Sequence, residues 1–137
     1  MTYDEFNVFC SALPGTTHVV QWGGADVWKV GGKVFAIGGW DKSEPAITFK
    51  AGDLAFEMLS GLPGLRPAPY LASRGLKWIQ QYGKPGLTTP ELRDYLRHSY
   101  RLVVQGLPKR KQAALGLATE PGDASPGPGA RRPRTRA

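Results

Sequence analysis

Asp26–Trp40 reads DVWKVGGKVFAIGGW, and its interpretation decides the fold. Two β-type runs, 26–30 and 33–38, flank Gly31-Gly32. Two residues that accept positive φ between such runs predict a two-residue hairpin turn. Facing pairs then set Val30 opposite Lys33 and Lys29 opposite Val34. On a regular strand Trp28 points away from the face that carries Lys29. A slim hairpin with lysines near its tip can reach a phosphate backbone or enter a groove. Lysines on exposed strands equally discourage sheet-to-sheet pairing. Both readings are open on the sequence.

Working outward, Thr2 can cap a helix over 3–12. Asp4 and Glu5 lie in its first turn, and Phe6, Phe9, Cys10 and Leu13 recur at helical spacing. THVVQW (17–22) predicts a first strand, broken by Gly23-Gly24. After a turn around Asp41–Glu44, PAITFKA (45–51) predicts a fourth. Four strands with short connections imply an antiparallel meander. Asp53 is placed as the cap of a second helix, 54–60, with Leu54, Met58 and Leu62 facing inward. Pro67–Leu71 is extended, because each proline biases its predecessor away from helix. Leu76–Gln81 is a further strand. Thr88-Thr89-Pro90-Glu91 opens a helix over 90–105. Either Thr89 caps it with Pro90 first, or Thr88 caps it and Glu91 completes a capping box. Leu92, Leu96, Ser99 and Val103 trace its buried stripe. The order α-β-β-β-β-α-β-α predicts an α+β domain, its antiparallel sheet packed against helices, with one or two strands before the last helix.

The chain has 137 residues, 41% of them hydrophobic, which suits one domain. That domain is assigned to 1–116. Residues 117–137 are Pro/Gly/Arg-rich, hold too little apolar surface to fold, and are expected to be a disordered tail. The formal charge is +7. The tail carries four arginines against Glu120 and Asp123, so the basicity belongs largely to the domain. A basic balance favours anionic partners. Cys10 is the one cysteine, so no intrachain disulfide forms; a buried thiol is expected. The N-terminus shows no basic secretory n-region, and no apolar run approaches the ~20 residues that span a bilayer. A cytoplasmic, monomeric protein with no membrane contact is expected.

Catalytic and cofactor patterns are missing. The phosphate-loop pattern fails at Gly32-Lys33 and at Gly83-Lys84. His18 and His98 are far apart, and no acidic cluster has ligand spacing. No serine has a nucleophile-elbow setting, and Asp41 and Glu44 read as solvated turn residues. No catalytic residue, metal or cofactor is therefore expected. The basic positions are more coherent. Lys29, Lys33, Lys42, Arg74 and Lys77 are the candidate phosphate contacts, and Arg131 and Arg132 would add salt-sensitive affinity from the tail. Arg93, Arg97 and Arg101 form a basic stripe on the last helix, or a solvated face partly neutralised by Glu91 and Asp94. Trp22, Trp40 and Trp78 read either as core or as stacking surfaces.

LPGTTHVVQWGGADVWKVGGKVFAIGG, FKAGDLAFEMLSGLPGLRPAPYLASRGLKWIQ and LRDYLRHSYRLVVQGLP together resemble the MmcQ/YjbR family of small bacterial proteins. The resemblance covers about 3–111. It implies an α+β fold similar to frataxin-like and secretion-chaperone-like arrangements. It also implies DNA binding through paired hairpin wings. Pro67, Ala68, Tyr70, Trp78, Ser99 and Tyr100 match its pattern, with structural roles implied. Two functions follow as expectations: a non-catalytic DNA-binding module, or a protein-interaction module that holds a partner peptide on the sheet. An exposed apolar patch would favour the second.

Overall fold

A computed structural model describes residues 1–39, 46–69, 71 and 74–117. Trp40, Lys42, Tyr70 and the tail from 118 lie outside the described residues. Helix α1 (Tyr3–Ser11) starts at a complete capping box. The Glu5 amide donates to the Thr2 hydroxyl, and the Thr2 amide donates to the Glu5 carboxylate. The hydrogen bond from the Thr2 backbone holds the Glu5 carboxyl below its ordinary range.

Strands β1 (Thr16–Gln21), β2 (Ala25–Val30), β3 (Lys33–Gly38) and β4 (Ile47–Lys50) form the expected antiparallel meander. After α2 (Asp53–Ser60) come β5 (Leu65–Pro67) and β6 (Trp78–Gln81). Strand β6 pairs with β4 and β5 pairs with β6, so the sheet runs β1-β2-β3-β4-β6-β5. Helix α3 (Thr89–Gly106) follows, capped by Thr88 with Glu91 closing the box. The α+β class and element order are those expected, with β5 as the second strand of the pair. A short α4 (Lys109–Ala114), absent from the expectation, ends the described chain. Its Gln112 is buried and donates to the Leu107 carbonyl at 2.9 Å.

The helices pack on one face of the sheet. Phe6 and Cys10 from α1, Leu59 from α2, and Leu92, Leu96, Tyr100, Val103 and Val104 from α3 meet Trp28, Val30, Phe35, Ile47, Phe49 and Ile79. Ser99 donates to the Lys50 carbonyl of β4, and the Tyr100 hydroxyl donates to the Pro14 carbonyl. These bonds tie α3 both to the sheet and to the α1–β1 connection.

Helix α2 corrects two expectations. Its N-cap is Gly52, with no side-chain cap bond, and Asp53 is already helical. Leu54 and Met58 are 67% and 56% exposed, and Leu62 is exposed too. Leu59 is buried instead, with Ala55 and Phe56 packed beside it. Apolar residues occur all round this helix, so two stripes fit its periodicity, and packing selects the one that holds Phe56 and Leu59.

The hairpin pairs as expected, Val30 with Lys33 and Lys29 with Val34. Its turn, however, is not a free tip. Gly31 has φ 62, and a Cβ placed there would stand 2.5 Å from a Leu107 methyl. Gly31→Ala is therefore expected to lower stability by about 1–3 kcal/mol, from overpacking and a strained backbone. Gly23→Ala meets nothing within 4 Å and serves as the comparison for backbone strain alone. Urea unfolding measures both; equal midpoints for the two variants would mean that the turn does not pack against Leu107.

Candidate functional site

Two surfaces stand out. The first depends on a bulge. Trp28 pairs with Ala36 and Lys29 with Val34, so the ladder skips Phe35. A bulge of this kind lets consecutive side chains share a face. Phe35 and Ala36 both enter the helix-side core, while Val34 and Ile37 turn to the other face. There a second apolar cluster forms from Ala25, Val27, Ile37, Ala68 and Trp78, to which no helix contributes.

This helix-free face holds a groove of about 440 Å³. Trp22, Val34, Ile37, Leu71, Leu76 and Trp78 line it, with Arg74 the one charged side chain among the described residues of its wall. Trp78 is nearly buried, whereas Trp22 is 52% exposed in the β1–β2 turn. Trp22 has φ 50, a conformation uncommon for a bulky residue. On the same face, Thr48 and Gln80 form a buried polar layer. Arg66 Nε and Nη2 donate to Gln80 Oε1 at 2.9 and 2.6 Å, and Gln80 Nε2 donates to Thr48 Oγ1 at 3.3 Å. The Arg66 guanidinium also lies over the Tyr82 ring, 4.4 Å from its centroid.

The second surface is basic. Because Gly31-Gly32 rests on Leu107, the hairpin end meets α4. Lys111 Nζ is 4.0 Å from where a Cβ on Gly32 would stand. Lys33, next to Gly32, is thereby brought to the same end as Lys111, with Lys109 and Arg110 beside it on α4, although the two segments are some 80 residues apart in sequence. Lys29 pairs with Val34 and so stands on the groove face. None of the five has an ion-pair partner among the described residues. Strands β2 and β3 are interior strands of the sheet. Lys29 and Lys33 therefore guard no sheet edge, which removes the alternative explanation for them.

The remaining candidates are dispersed. Arg74 stands in the groove, and Lys77 Nζ lies 5.2 Å from the Phe56 ring on the helix side. Lys42, Arg131 and Arg132 lie outside the described residues. On α3, Arg97 pairs with Asp94 at 2.9 Å and covers the Phe9 ring, and Glu91 is engaged in the cap. That helix face reads as the partly neutralised one. The basic α4 was visible as Lys109-Arg110-Lys111, but its approach to a turn far back in the chain has no local signal.

Other polar groups are structural. His18 Nε2 is 2.8 Å from Asp26 Oδ1, Asn7 donates to Asp26 Oδ2, and Trp28 Nε1 donates to Asn7 Oδ1. This chain of bonds fixes α1 to β1 and β2. Burial pushes the Cys10 thiol up, so it is no ready nucleophile. No group of three metal-ligating side chains occurs among the described residues. No helix among them is long and apolar enough to cross a membrane.

The signature of the YjbR family matches residues 11–102. The chain belongs to the YjbR family. The uncharacterized protein YbdF of Escherichia coli O157:H7 is 33% identical over 89 residues, 64% of this chain and 70% of that protein. The crystal structure of Deinococcus radiodurans protein DR2400, a DUF419 domain, superposes with a TM-score of 0.73 at 22% identity. It covers 90% of this chain and 94% of that one, a likeness of fold.

One buried histidine of this YjbR domain has an unpartnered ring nitrogen among the described residues. His98 on α3 is buried, and its Nδ1 has no hydrogen-bond partner among the described residues. Burial first, and Arg101 second, lower its pKa below the ordinary histidine value. An unfolded chain takes up this proton near pH ~6.5, before the folded one does. Stability is therefore complete above that pH and falls as pH drops toward the lower folded pKa. In His98→Gln the fall in melting temperature from pH 7.5 to 5.0 should shrink. An identical fall in both proteins would assign the acid sensitivity elsewhere.

Proposed function

We propose that this chain is a non-catalytic nucleic-acid-binding module. Its phosphate contacts come from the basic end where the β2–β3 turn meets α4. One observation carries this reading. Lys33 at the turn and Lys109, Arg110 and Lys111 on α4 come from distant segments to one end of the molecule, unpaired among the described residues, and β3 has no sheet edge for Lys33 to protect. Positively charged surfaces of this kind bind the backbone of DNA by releasing counterions, with little regard to sequence. The hairpin acts as one wall of a compact basic surface, not as a projecting wing. Lys29, Arg74 and Lys77, named with Lys33 on sequence grounds, lie elsewhere, Lys29 and Arg74 on the groove face and Lys77 beside Phe56.

A second reading rests on β1. This edge strand is six residues long, without lysine or proline, and Val20 on it is 58% exposed. The opposite edge, β5, has three residues and ends in proline. A long edge without such protection is the kind to which a partner adds a strand. A protein partner would use that edge and leave the basic end free.

Fluorescence anisotropy with labelled duplex DNA over a salt series separates the two. For the nucleic-acid reading, log affinity falls linearly with log salt. Lys33→Glu with Lys111→Glu flattens that slope by about 2, close to one for each phosphate that is no longer neutralised. An unchanged slope would remove the basic end from the reading. Retained affinity after substituting the tail arginines 131, 132, 134 and 136 would place binding in the folded domain.

A further inference from the structure

We propose that the groove on the helix-free face is a binding site for a small amphipathic carboxylic acid, its apolar body between Trp22 and Trp78 and its carboxylate on Arg74. The inference stands apart from the nucleic-acid reading, since it uses a different face. Three observations carry it. The first is shape and lining. A concave volume of about 440 Å³ lies in the usual range for small-molecule sites, which are mostly apolar with a few placed polar groups. Here six lining residues are apolar or aromatic and one is charged.

The second is charge. Arg74 has no ion-pair partner among the described residues. The described acids Asp4, Glu5, Asp53, Glu57, Glu91 and Asp94 all belong to helices. Asp26, on β2, is held by His18 and Asn7. Lys50 stands directly across the ladder from Trp78 and adds to the positive side of this face. A single planar guanidinium matches a carboxylate in bidentate fashion. Among the described lining residues Arg74 is the only cation, fewer than a phosphate dianion calls for.

The third is Trp22. A bulky residue at φ 50 carries backbone strain, and its indole is left half exposed as one groove wall. Such strain persists where the surroundings impose it, and it clusters at ligand clamps. A glycine would adopt this turn at no steric cost. Tryptophan at this position sets an indole in the groove wall.

The test uses the full ¹⁵N-labelled chain and a pair of probes with the same body and opposite charge, octanoate and octylammonium. Octanoate should shift the Trp22 and Trp78 indole N–H resonances saturably, at least about tenfold more tightly than octylammonium. Arg74→Gln should abolish that preference while the rest of the spectrum stays native. Leu76→Trp, which fills the groove from its rim, should weaken both probes. Equal binding of the two ions, shifts centred on another face, or an Arg74→Gln protein that still prefers octanoate would overturn the proposal. So would tighter binding of acetyl-Gly-Gly-Leu than of octanoate, since the occupant would then be a protein C-terminus.

Discussion

The packing of α3 across β2, β3 and β4 is the constraint on which the rest of the molecule depends. Leu92, Leu96, Tyr100 and Val103 bury one stripe of that helix on the sheet, and Phe35 meets Tyr100 edge to face at 5.6 Å. Truncating any large side chain packed in this way typically costs about 2–5 kcal/mol. Because α1 and α2 join α3 on the same side, the opposite face receives no helix. It must bury what it can with its own side chains and with the segment that carries Ala68, Leu71 and Leu76. One-sided packing thus creates the groove, and the path of the chain beyond α3 creates the basic end. Leu107 closes α3, seats itself on Gly31, and delivers α4 to the hairpin.

Much of this arrangement was legible in the sequence where the signal was local. Gly31-Gly32 between two β-type runs specified the turn, its register and the pairing of Lys29 with Val34. Thr88 and Glu91 marked the start of α3, and the stripe through Leu92, Leu96, Ser99 and Val103 is buried as read. The misreadings share a cause. In α2 apolar residues surround the helix, so periodicity alone cannot choose between Leu54 with Met58 and Phe56 with Leu59. The bulge at Phe35 has no sequence mark, yet it decides which β3 residues face the groove. The approach of Lys111 to the Gly31-Gly32 turn is set by tertiary packing alone. Trp78 read first as core, with a stacking surface as the alternative, and it is nearly buried while lining a groove whose other wall is Trp22.

The two candidate surfaces also differ in what they could bind. The basic end offers several exposed cations, which suits a polyanion held loosely and with strong salt dependence. The groove offers the reverse: apolar walls and a single guanidinium. Its rigidity comes from the neighbouring strands of the same face. Thr48 and Gln80 are almost fully buried, and Arg66 satisfies Gln80 through two of its nitrogens. A buried polar layer of this sort is stabilising only while every member is bonded, so it holds β4, β5 and β6 in one geometry.

That rigidity bears on how the domain could couple its surfaces. Strand β3 runs between them: Lys33 begins it at the basic end, Val34 and Ile37 line the groove, and Gly38 ends it against Phe6. The bulge at Phe35 sits between Lys33 and Ile37, inside the helix-side core. Any occupant that shifted Val34 would have to move Phe35 against Tyr100, and through Tyr100 the Pro14 carbonyl that anchors α1. Close-packed cores resist such continuous displacement. The two candidate surfaces therefore stand independently on a rigid frame, with no conformational route required between them.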